Sequence, residues 1–206
     1  VSSPQLDDPN RGFSFMREGP IDMRMDITNK TTALLWLQKA DVEEISMVLK
    51  KYGEEKYSFR IAKKIKHSIE NNLLHTTLDL SKIINDCYPK SKLGKKNPAT
   101  KSFQAIRIFI NNELQELEKI LNNCIDLIDK GGRLVVISFH SLEDRMVKNF
   151  IKIHSDGKNT ISKLPITGNN QKLSLKKIKI PLKASDNEIE NNIRARSARI
   201  RVAEKI

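Results

Sequence analysis

No apolar run in this chain approaches the ~20 residues that a membrane-spanning helix needs. No secretory signal pattern is visible. Cysteine is scarce. Cys87 and Cys124 sit in helical patterns with no metal-ligand spacing, which predicts small core residues in a reducing cytoplasm and no metal site. A Gly-rich strand–turn–helix of the dinucleotide or P-loop type is missing. Gly131-Gly132 precedes an apolar run, the wrong order for a phosphate cradle. No acidic residue can be assigned to a cofactor ribose, so any nucleoside-cofactor site has its first half upstream of Val1.

Basic residues are abundant. Lys and Arg number 37 against 25 Asp and Glu, giving a net charge of +12 and a sequence pI near 9.7. Such a surplus points to a polyanion, most commonly nucleic acid. Solubility and a Lys/Asn/Ile-rich codon bias are the plainer explanation.

The first residues, Val1 to Asp8, read as the end of a buried strand entering a tight, hydroxyl-rich turn. The chain is therefore expected to be the C-terminal part of a longer protein. Residues 1–29 are turn-rich, a length of loop that is usually functional, with Phe13, Phe15, Met16, Met23 and Met25 as anchors. From Thr31 the period is helical. Asp41 with Glu44 makes a capping-box-like start for Val42–Tyr52, and Gly53 suits its C-cap. Further helices are predicted over Glu54–Glu70 and, capped by Thr77, over Leu78–Tyr88. A long helix follows Pro98, with a bend or break near Asn111–Asn112. Leu134–Ile137 has the continuous apolar character of a strand buried on both faces. Ser141–Ile153 reads as a helix and residues 155–172 as a mobile segment. Leu173–Leu182 and Ala198–Ile206 alternate like strands, with Ala203 the weak point. The expected architecture is α/β: a sheet domain interrupted by a helical insertion. Residues 1–29 hold a strand end and active-site loop, 30–96 the insertion, and 97–206 the return to the sheet.

Three polar clusters fall at strand ends, where open α/β sheets bind ligands. They are Ser2–Gln5, Ser138–Ser141 and Asn192–Ser197. Alone, Ser2-Ser3-Pro4-Gln5 is an ordinary Ser-Pro turn. It also has the chemistry to hold an exocyclic base amine. Such an amine has its lone pair delocalised into the ring. Carbonyl and hydroxyl acceptors must hold its N–H groups while the nitrogen pyramidalises. A cytosine C5 enzyme would instead place a cysteine nucleophile after the proline, and Gln5 stands there. His140 is equally a satisfied strand-end histidine or a base-contacting group. Arg194, Arg196, Arg199 and Arg201 form an alternating row, read either as a solvated edge strand or as phosphate contacts. The Lys90–Lys96 loop and the lysines of the helical block could together track a nucleic-acid backbone.

Taken in order, Val1–Asp8, Arg11–Phe15, Gly19–Asp26, Asn97–Thr100, Phe103–Ile108, Gly131–Leu134, Ser138–Arg145 and Arg194–Ser197 resemble the RsmH (MraW) family of small-subunit rRNA N4-cytosine methyltransferases. The resemblance covers 1–154 and 186–206. It departs at Asn97, where the family usually has His, and at Ile193, where it usually has Pro. It implies the C-terminal part of a class I, Rossmann-like sheet that uses S-adenosyl-L-methionine, with an inserted all-helical domain. It implies N4 methylation of a decoding-centre cytidine, position 1402 of 16S rRNA, in the cytoplasm. Ser2, Ser3 and Pro4 would orient the amine, Gln5 would contact the cofactor, and Ser138 with His140 would line the base pocket. Lys95, Lys96, Arg107, Arg194 and Arg196 would hold RNA. The expected partner is 16S rRNA or the small ribosomal subunit, with no membrane involved and a homodimer left open. A non-catalytic rRNA-binding module and a DNA N4-cytosine methyltransferase are the rival functions.

Overall fold

Ser2 caps a helix. In the computed structural model, which describes residues 1–89, 97–156, 173–180 and 183–206, Ser2 Oγ accepts from Gln5 N–H at 3.4 Å and Gln5 Oε1 accepts from Ser2 N–H at 2.9 Å. This reciprocal cap, with proline in the first turn, starts α1 (Ser3–Asp7). Val1 is exposed. The S-x-x-Q spacing thus makes the turn after Val1 the start of a short helix. The described residues group into two compact units, Val1–Glu113 and Leu114–Ile206. The first of these ends beyond the 96/97 border expected from the sequence.

In the first unit, the loop after α1 passes a 3-10 turn (Pro9–Arg11) and folds back at Gly12. There φ is +71°, and a Cβ would lie 2.2 Å from Pro20 O. Phe13 and Met23 are buried as anchors, and Phe15 meets Phe103 edge-on at 5.6 Å. Met16 does not anchor: it is 72% exposed, on a bend closed by its own N–H donating to Ser14 Oγ.

The helices follow as α2 (Ala33–Lys39), α3 (Val42–Gly53), α4 (Ser58–Glu70), α5 (Thr77–Asn85) and α6 (Ala99–Ile110). Asp41 caps α3, but Glu44 does not return the bond, because its carboxylate accepts the Trp36 indole N–H at 2.8 Å. Gly53 is not the C-cap. Glu54 takes the left-handed position at φ +49°, while Gly53 stays helical, where a Cβ would meet Lys101 O of α6 at 2.7 Å. Thr76, not Thr77, caps α5 in a box with Asp79. Thr77 is buried, and its hydroxyl donates to Arg17 O at 2.7 Å, latching the loop to the helix. α6 lies on α3, and α4 packs between α3 and α5. The chain breaks at Asn111–Asn112 as expected, with Asn112 at φ +49°.

The second unit contains α7 (Glu113–Leu127, its first residue shared with the first unit), β1 (Arg133–Ser138), α8 (Ser141–Asp156), β2 (Leu175–Ile178), α9 (Asp186–Asn191) and β3 (Arg199–Lys205). The strands pair antiparallel in the order β1-β3-β2. Leu134 and Val136 face a core of Leu121, Val147, Phe150, Ile151, Leu175 and Ala203. Val135 and Ile137, on the other face, are 53% and 57% exposed. Among the described residues β1 is therefore covered on one face. Ala203 is fully buried beneath α8. Far from weakening β3, its small side chain lets helix and sheet approach. Cys87 is buried and Cys124 half-buried against the core, and burial pushes both thiols up. No helix of the described residues is long and apolar enough to cross a membrane.

Candidate active site

β1 ends at Ser138, and α8 begins three residues later. The backbone must reverse there, and Glu143 makes the reversal possible. Its Oε2 accepts from Phe139 N–H at 2.9 Å and from His140 N–H at 3.3 Å, satisfying two donors at the helix start. Asp144 N–H closes the first turn onto His140 O at 3.1 Å. The imidazole is held from two sides. Glu143 N–H donates to Nδ1 at 3.4 Å, so the neutral ring carries its proton on Nε2. Nε2 lies 3.3 Å from Glu143 Oε1, without the alignment of a hydrogen bond. Burial alone would raise the Glu143 pKa. The His140 ring and the two backbone N–H groups outweigh it and hold the carboxyl below its usual range.

Two polar atoms at this corner are buried without a hydrogen-bond partner among the described residues: Ser138 Oγ and His140 Nε2. Unsatisfied buried polar atoms are costly and uncommon. Two of them fall within three residues at the C-terminal end of a strand, which makes this corner the candidate site. Phe139 between them is 56% exposed. Composition pointed to His140 but not to Glu143, which reads as an ordinary first-turn charge; its three-residue offset from the helix start was the available signal.

Asp144 has a structural task. Arg201 donates to it from Nε at 2.6 Å and from a terminal nitrogen at 2.9 Å, and Arg199 lies 3.7 Å away. The Arg201 bond holds the Asp144 pKa below its usual value against the opposing effect of burial. The alternating arginine row is thus divided. Arg199 and Arg201 lie on the central strand of three, not on an edge, and face Asp144. Arg194 and Arg196 stand exposed on a 3-10 turn (Ile193–Ser197) pinned by buried Ala195.

Ser2, Ser3 and Pro4 are exposed in the first unit, and Gln5 is half-buried. Gln5 Oε1 is committed to the α1 cap, leaving the amide Nε2 as the group it can offer. Arg107 binds Glu113 bidentately at 2.7 and 3.0 Å, so a phosphate there would compete with a carboxylate. Lys95 and Lys96 lie outside the described residues, as does most of the segment 155–172. Ser138 and His140 are together at one corner; Ser2–Gln5 belongs to the other unit.

A model of the MraW methylase family matches residues 1–206. The ribosomal RNA small subunit methyltransferase H of Legionella pneumophila strain Paris is 46% identical over 206 residues, covering 100% of this chain and 67% of that protein. The same figures hold for the enzyme of that name from L. pneumophila subsp. pneumophila strain Philadelphia 1. With every element from α1 to β3 inside the match, the chain belongs to the MraW methylase family and carries the C-terminal part of a class I methyltransferase fold.

Proposed function

We propose that this chain is the C-terminal two-thirds of an S-adenosylmethionine-dependent enzyme that methylates N4 of a cytidine in small-subunit rRNA. The observation that carries the reading is the pair of buried, unpartnered atoms at the end of β1, in a chain whose relatives are named for small-subunit rRNA methylation.

The cofactor, when bound, supplies an electrophilic methyl group on sulfonium sulfur. This chain offers it one amide donor, Gln5 Nε2, and no carboxylate assigned to a ribose; these residues alone do not make a nucleoside site. What the chain supplies is the base side. An extruded pyrimidine presents acceptors at O2 and N3 and donors at N4. His140 Nε2–H donates to the former. Ser138 Oγ accepts from the latter, so the amine nitrogen can pyramidalise. Arg194, Arg196, Arg107, Lys95 and Lys96 are proposed to hold flanking phosphates.

The test is methyl transfer by the complete protein to small-subunit particles and to duplex DNA. His140→Ala and Ser138→Ala are expected to lower kcat by about 10²-fold, the range for one lost transition-state contact, with RNA affinity nearly unchanged. Unchanged turnover removes this corner from the site. RNA binding without any transfer favours a non-catalytic module, and faster transfer to DNA overturns the substrate.

A further inference from the structure

A second concave site lies away from the β1 corner, between the far half of α8 and the β2–β3 edge of the sheet. It is a cavity of about 230 Å³ lined by Lys148, Ile151, Lys152, Lys177, Ile178 and Arg201, among others. Its chemistry is one-sided. Lys148 and Lys152 are four residues apart and share a face of α8. Lys177 is paired in register with Ala203, which places its side chain on the same side of the sheet as that core residue, facing α8. Three lysines thus line one hollow. Arg201 at its base is already neutralised by Asp144, and Asp156 stands on the rim. Among the described residues, none of the three lysines has a carboxylate within ion-pair distance. Isolated lysines on an edge strand are explained by protection against edge pairing. That account covers Lys176 but not two lysines on a helix that line the same hollow as a third. Lys148 lies near enough to Asp144 to help lower its pKa, and Asp156 lines the same hollow, yet three lysines and an arginine still outnumber these carboxylates there, and like charges repel one another unless a further anion joins them.

We propose that this hollow binds a phosphodiester of the RNA substrate, as a second contact point remote from the reacting base. The inference rests on the proposed rRNA substrate. Lys148 and Lys152 lie about 12 and 18 Å along α8 from His140, at 1.5 Å per residue. The phosphate held there belongs to a nucleotide near the target and not to the target itself. Its contribution is to binding and register, not to the chemical step.

The experiment compares the complete protein with the triple variant Lys148→Ala/Lys152→Ala/Lys177→Ala and with the charge-preserving Lys→Arg triple. The substrate is small-subunit rRNA, assayed at several salt concentrations. Losing one or two phosphate contacts should raise KM about three- to tenfold and flatten the slope of log KM against log salt by about one. kcat at saturation should stay within about twofold, and the arginine triple should restore both KM and slope. An alanine triple with unchanged KM and slope overturns the proposal. So does saturable binding of inorganic phosphate to the wild type with no change in RNA KM, which would mark a free-anion site. A wild-type protein that transfers no methyl to this RNA refutes the functional reading instead, which is a distinguishable outcome.

Discussion

Removing the carboxylate of Asp144 tests how the candidate site is held. Arg201 is buried in the middle strand of the sheet, and two of its nitrogens contact Asp144 at 2.6 and 2.9 Å. The variant Asp144→Ala leaves that guanidinium with no anion, since the half-exposed Arg199 is another cation. Orphaning one partner of a buried pair costs about 3–5 kcal/mol, because the remaining charge is stranded away from water. Both partners are only about a tenth exposed, so solvent screening gives little relief. Asp144→Leu combined with Arg201→Met removes both charges and should recover most of the loss. The assay is amide hydrogen exchange over Arg199–Lys205 in the complete protein, which reads the opening of this strand and not the whole chain. The folded-state pKa of Asp144 is depressed, so its stabilisation is fully present above the ordinary aspartate value of about 3.9. It is lost as pH falls through the lower folded value. Protection of β3 should therefore be flat at neutral pH and fall only below about pH 4, a fall the double variant should lack. An Asp144→Ala loss below about 1 kcal/mol, the worth of an exposed pair, would refute this account. So would a double variant no better than the single.

Two further outcomes follow from the loop of the first unit. Gly12→Ala places a Cβ 2.2 Å from Pro20 O at a positive φ, so the variant should lose several kcal/mol or fail to fold, read by thermal melting; a wild-type melting temperature would show that this crossing can open. Asn111→Ala deletes a side chain that accepts from Met25 N–H at 2.6 Å and donates to Met23 O at 2.7 Å. It should cost about 1–3 kcal/mol and raise proteolysis within residues 12–30 before any helix is cut. Equal cutting rates would make the tether dispensable.

Periodicity located every long helix because each has one apolar face. Ile61 and Ile65 of α4, and Phe103 and Ile106 of α6, are buried as their spacing requires. The Asn111–Asn112 break was legible too, since asparagine tolerates a left-handed backbone. Errors came where two local rules competed. Ser2–Gln5 satisfies both a Ser-Pro turn and a capping box, and the reciprocal bond decided for the helix. Gly53 fits a C-cap, but close approach of α6 gave its missing Cβ a different use. Leu134–Ile137 is apolar at every position, and period alone cannot say how many faces are covered. At the candidate site, His140 stood out by type, whereas the roles of Glu143 and Asp144 depend on which backbone N–H and which arginine they meet. Arg201 lies 57 residues beyond Asp144, and no spacing rule reaches that far.

The pairing of Asp144 with Arg201 also explains why the corner can hold unsatisfied atoms. An unpartnered Ser138 Oγ and His140 Nε2 would drive local rearrangement if the turn were free to move. It is not free. Asp144 N–H binds His140 O from inside the first turn of α8, while the Asp144 carboxylate fixes that turn to β3. β3 is in turn paired with β1 along its length, so Ser138 sits opposite Arg199 and two residues in register from Arg201. Strand, turn, helix and returning strand form a closed circuit of bonds. A turn closed in this way can keep Ser138 Oγ without a hydrogen bond and hold His140 Nε2 at 3.3 Å from Glu143 Oε1, short of a well-aligned bond. On the proposed function, a bound base would supply the partners those atoms lack. If the proposed site is right, loosening the circuit at Asp144 should therefore reduce methyl transfer, although Asp144 is bound to Arg201 and not placed in the base pocket.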